Sequence, residues 1–171
     1  MSIDIGLLVL RVLVGLVLAA HGAQKLFGWF GGPGMKGFTG GMARMGLKPA
    51  PFWGLLGGLG EFGGGLLLAL GLLNPLGALG VMGAMAMAIA LAHWSKGFWN
   101  SKGGYEFPLV LFGTSATLGL VGPGTYSLDA LLGTALPTWV FWAGLVGVAL
   151  VVSYALSLTR QRVAAHQQTT S

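Results

Sequence analysis

The chain has 171 residues, 54% of them hydrophobic and only 8% charged, with a formal net charge of +5. A soluble domain carries about 25% charged residues, so this composition excludes a water-facing globular surface and makes the bilayer the solvent. The absence of cysteine excludes disulfides, thiolate metal sites and thiol chemistry by the chain itself. The isoelectric point of about 10.0 does not indicate a nucleic-acid partner. The basic residues stand singly in the segments between apolar runs, where membrane orientation explains them better.

A stretch of about 20 apolar residues suffices to cross a bilayer. In chain order, five runs are candidates: 5–27, 51–73, 76–94, 107–121 and 137–158. The fourth is the shortest and begins close to the preceding loop. Pro51, Pro108 and Pro137 stand near helix starts, where proline costs little. Asn74-Pro75 and Gly122-Pro123-Gly124 read as turns. A cleaved signal peptide wants a basic segment before its apolar core. Here Asp4 precedes the first run and Arg11 interrupts it, so the first run is expected to remain as a span.

Between the first two spans, Met35, Phe38, Met42 and Met45 recur every three or four residues, with Lys36 and Arg44 elsewhere on the wheel. That spacing predicts a short amphipathic helix lying in the interface near 34–47. Its glycines also leave a plain loop open. The second span carries Gly54, Gly58, Gly60 and Gly64, and the third Gly80, Ala84, Ala88 and Ala92. Small residues at four-residue spacing predict close helix packing in lipid.

With five spans, Lys36, Arg44, Lys48, Lys96, Lys102, Arg160 and Arg162 fall on one side, with Lys25 at its edge. The other side has Asp4 and Asp129 and neither Lys nor Arg. The positive-inside rule then places the N-terminus outside and the C-terminus in the cytoplasm.

Ionisable groups within the spans are Arg11, His21 and Lys25 in the first, Glu61 in the second, His93 in the third and Glu106 opening the fourth. Each costs about 3 kcal/mol at a helix centre in lipid, so they should face the bundle interior. Arg11, His21 and Lys25 share one stripe of their helix. Counting about 1.5 Å per residue from the basic end, Glu61 sits roughly 15 Å deep, between His21 and Arg11. An intramembrane charge pair of Arg11 with Glu61 is therefore expected, with His21 as the other candidate partner. Such a pair either fixes helix register or handles a proton or ligand.

His21, Gln24, Lys25, His93, Tyr105 and Glu106 all fall toward the basic ends of their helices. They form a candidate polar cluster, lidded by the loop that follows Phe27. Three readings compete: a site for a quinone or lipid head group, haem ligation by His21 and His93, and ordinary interfacial polar and aromatic residues. Haem is the weaker of the ligand readings because only two single histidines support it. No catalytic residue and no metal site follow from these residues.

The runs "LRVLVGLVLAAHGAQKLFGWFGGPG", "GEFGGGLLLALGLL", "GGYEFPLVL" and "GPGTYSLD" resemble the DoxX family of small bacterial integral membrane proteins. The resemblance covers most of the chain and implies a four-helix membrane bundle associated with redox assemblies, including quinone-linked oxidoreductases. The expected fold is an all-α polytopic membrane helix bundle. It comprises a DoxX-like four-helix core over 1–132, an additional transmembrane helix over 133–160 and a polar cytoplasmic tail over 161–171. The expected function is an accessory or quinone-contacting subunit of a larger redox complex in the bacterial inner membrane. A small transporter or channel with a polar intramembrane path, and an assembly scaffold without a ligand, are the alternatives.

Overall fold

The structure, a computed structural model, describes residues 2–169, with side chains through residue 161. Helix α1 spans Ser2–Phe27, α2 Gly34–Arg44, α3 Ala50–Leu70 and α4 Asn74–Lys96, the last ending in a π-helical turn over Ala88–His93. Helix α5 spans Glu106–Val121, α6 Leu128–Leu132 and α7 Thr138–Thr169. The described residues contain no strand. The fold is the all-α polytopic bundle that composition demands, since in lipid a helix satisfies its own backbone.

Four helices (α1, α3, α4 and α7) are long and apolar enough to cross a membrane. Helix α5, the fourth expected span, has 16 residues, or about 24 Å at the usual rise. It still runs between both ends of the bundle, antiparallel to α4. At one end the Asn74 amide donates to the Leu118 carbonyl at 2.8 Å, and at the other Tyr105 stacks on Trp94. Helix α7 continues through Thr169, past residue 160 and into the segment expected as a polar tail; Thr170 and Ser171 lie outside the described residues, and the Arg162 side chain is likewise not described.

Helices α1 and α3 pack antiparallel on their glycines. A Cβ on Gly15 would lie 2.6 Å from the Ala69 nitrogen, one on Gly22 would strike the Phe62 backbone, and one on Gly58 would strike the Leu26 side chain. The α3–α4 contact is equally close, with Gly60 against the Gly80 carbonyl and Gly64 against that of Gly77. Helix α2 lies against the first turns of α3, with Thr39 on Gly54 and Phe38 on Gly57. The expected amphipathic helix therefore forms, and it covers a part of α3 that extends past the end of α1.

The end of the bundle remote from Lys36 and Arg44 is closed by a polar clasp. Arg11 is 2% exposed and donates to the carbonyls of Pro123 and Tyr126. Asp129, also 2% exposed, accepts from the Leu73 and Asn74 backbone N–H groups at 2.8 and 3.0 Å. These are orphan donors at the start of α4, where a carboxylate is well placed. Gly71 ends α3 at φ 61° and lies directly under the Arg11 guanidinium. A side chain there would be strained and would displace the clasp.

Candidate functional site

The expected Arg11–Glu61 pair does not form, and His21 does not replace Arg11. Glu61 pairs instead with Lys25. The reason is the register of α1 on α3. Gly22 meets Phe62 and Leu26 meets Gly58, so Glu61 stands level with the last turns of α1. Arg11 lies 14 residues before Lys25, about 21 Å away along the helix. Counting depth from helix ends placed Glu61 too far toward Arg11, because α3 begins well outside the end of α1 to form the wall for α2.

Lys25 reaches Glu61 while its ammonium sits 5.0 Å from the centre of the Phe38 ring. The pair thus ties α1, α2 and α3 together. Glu61 is 2% exposed, and its second oxygen, Oε2, is buried without a hydrogen-bond partner. A buried acceptor in this state is costly.

The other residues of the expected cluster disperse. His21 turns to α5, its ring 5.8 Å from that of Phe107. The Gln24 amide donates at 3.4 Å to the Phe30 carbonyl and steadies the loop after α1. Glu106 accepts from the Asn100 N–H at 2.9 Å, and Tyr105 stacks on Trp94 at 5.1 Å. His93 Nδ1 lies 2.6 Å from the Gly103 carbonyl. A hydrogen bond there makes Nδ1 the protonated nitrogen and leaves Nε2 as an acceptor in the neutral ring. Of the six, Lys25 and His93 come to one cavity; the others organise loops and the α1–α5 contact.

That cavity has a volume of about 910 Å³ and is bounded by α2, α3, α4 and α7. Its size falls in the range of small-molecule pockets, and like them it is apolar with a few polar groups on its wall. Those groups are Lys25, Glu61, His93 and Arg44. Trp53 and the Met42 and Met45 side chains line the end under α2, and methionine adapts its shape to what it touches. The π-helical turn carries Ala88, Leu91 and His93 onto the opposite wall. Such turns insert one residue into a helix and re-aim the side chains after it.

The sequence reading missed Arg44, Trp53 and the methionines as cavity residues. It also read Gly54, Gly58, Gly60 and Gly64 of α3 and Gly80, Ala84, Ala88 and Ala92 of α4 as packing residues and did not single out Gly63. Gly60 and Gly64 do pack at their Cβ positions, yet Gly63 has nothing within 4 Å there and lines the cavity. A glycine that allows close approach and one that leaves space read alike in a sequence.

The DoxX family model matches residues 6–94, which is α1 to α4 and therefore three of the four walls. The chain belongs to the DoxX family. Comparisons with curated proteins and with solved structures give no match. In this DoxX protein the Lys25–Glu61 pair lies inside the matched region, whereas α5, α6 and the cavity wall formed by α7 lie outside it.

Proposed function

We propose that this DoxX protein is an accessory, non-catalytic subunit of a quinone-linked redox complex in the bacterial inner membrane, and that its cavity receives the quinone head group. The observation that carries this reading is the Lys25–Glu61 pair lining the cavity, in which Glu61 Oε2 is buried without a partner. The ammonium is a donor for a quinone carbonyl, and the free carboxylate oxygen is an acceptor for a quinol hydroxyl. The same two groups therefore suit both redox forms of one ring. The apolar remainder of the cavity suits a lipid-soluble molecule. A continuous transport path finds less support, because the opposite end of the bundle is closed over Arg11.

The test is binding of a tailless benzoquinone to the protein in mild detergent, read as a rise in Tm. The parent is expected to be stabilised in a concentration-dependent way. Lys25→Met and Glu61→Gln are each expected to weaken binding by about tenfold or more, since hydrogen bonds to charged groups contribute about 1.5–3 kcal/mol. A parent Tm that does not move at millimolar quinone removes the quinone reading.

Orientation belongs to the same proposal. The basic end carries Lys36, Lys48, Lys96, Lys102 and Arg160, and the positive-inside rule assigns it to the cytoplasm. A reporter enzyme fused to the C-terminus is expected to be active only if it is a type that works in the cytoplasm. Activity of a periplasm-dependent reporter there would reverse the assignment.

A further inference from the structure

The cavity has an opening at membrane depth. Leu56 and Leu59 of α3 and Val151 of α7 line it, and they are also 44%, 49% and 42% exposed. They are therefore the lips of a slot between α3 and α7. Helix α7 crosses this slot like a bar held at its two ends. At one end Phe141, 2% exposed, packs on Gly119 of α5. At the other, Ala155 is buried with Leu47 and Trp53. Between them α7 touches α4, Gly144 against Leu79 and Val148 against Gly83, while its contacts with α3 are sparse. The slot lies along helices that span the membrane, so what faces it is lipid.

Two glycines leave space along the cavity, Gly63 half-buried on α3 and Gly147 exposed at its mouth on α7. Gly63 on α3 and Gly147 on α7 both line it, and a Cβ at either position would meet nothing within 4 Å. Glycine inside a helix costs stability relative to alanine. Elsewhere on α3 that cost accompanies a close backbone approach, as at Gly64 and Gly65. At Gly63 and Gly147 it accompanies only open space. A separate observation at the same cavity is Glu61, which lines it from the α1 side of α3, is 2% exposed and keeps Oε2 without a partner.

We propose that an amphiphile bearing an apolar chain enters sideways from the bilayer between α3 and α7, and that Gly63 and Gly147 determine which chains the cavity accepts. The head group sits at Lys25 and Glu61, and the chain lies along the glycine walls toward Leu67 and Leu76. For a quinone head this rests on the reading above. The chain site itself rests on the slot and the two glycines. It also gives a purpose to α7: the family-matched helices form a groove, and α7 makes the groove a chamber that selects by chain bulk.

The experiment compares a tailless benzoquinone with one bearing a ten-carbon tail, on the full chain in detergent, by Tm shift. The variants are Gly63→Leu and Gly147→Leu. Each is expected to weaken the tailed compound at least tenfold and to leave the tailless one within twofold of the parent. Unchanged binding of the tailed compound overturns the proposal. Equal loss of both compounds also overturns it, because the glycines would then act on the head group. Should the leucine variants fail to fold, Gly63→Ala/Gly147→Ala adds two methyl groups that touch nothing, and about a threefold selective loss is expected. Should the parent bind neither quinone, the head-group reading falls and the chain site is tested with decanol, whose hydroxyl can donate to Glu61. Decanol binding that weakens in the leucine variants supports the slot; binding that does not respond to them, or no binding, overturns it.

Discussion

Replacing Lys25, itself only partly buried, with methionine is expected to destabilise the protein by about 3 kcal/mol, because it strands the buried Glu61 carboxylate without its partner. The pair contributes little net stability over an apolar replacement, because both charges lose water when they come together. Removing one charge alone leaves Glu61, 2% exposed, either ionised without a partner or forced to take up a proton. The expected signature is therefore in the double variant. Lys25→Met/Glu61→Gln should recover most of the loss, so that the two single effects do not add. Unfolding in mixed micelles, followed by circular dichroism, measures all three variants. A Lys25→Met protein within about 0.5 kcal/mol of the parent, the usual range of an ordinary surface change, would show that the pair is not an energetic unit.

The second large effect is at the other end of the bundle. Arg11→Met is expected to cost about 3 kcal/mol, because it removes charged hydrogen bonds to the Pro123 and Tyr126 carbonyls. The segment those carbonyls anchor leads into Ser127, which caps α6, and into Asp129, which caps α4. Loosening it thus frees the start of α4 as well. The clasp lies about 21 Å from Lys25 along α1, and the two sites share no partner. Arg11→Met and Lys25→Met should therefore add to within about 0.5 kcal/mol. The clasp variant should also bind ligand as the parent does. Strong coupling between the two sites would instead join the clasp to the cavity.

The burial of Arg11 and Glu61 was legible in the sequence, because a charge within an apolar run has few tolerable places other than the interior of a bundle. Which charge meets which was not. Residue counting assumes that neighbouring helices begin in one plane. Here α3 extends past α1 because α2 needs a surface to pack on, and this offset moves Glu61 from the neighbourhood of Arg11 to that of Lys25. His21 and Lys25 are four residues apart and share a helix face, yet one meets Phe107 of α5 and the other Glu61 of α3. A shared face does not specify the neighbour when two helices flank it.

Composition, apolar run length and the family motifs by themselves determined that this is a helical membrane bundle of the DoxX family. These signals are local, and lipid leaves a chain of this composition few other folds. The cavity was decided only by tertiary structure. It exists because α3 and α4 approach through Gly60 and Gly64 while α7 remains apart from α3 at Gly63. Whether a glycine closes a contact or leaves a space depends on what stands opposite, and that residue can lie more than sixty positions away along the chain, as Leu79 does from Gly144.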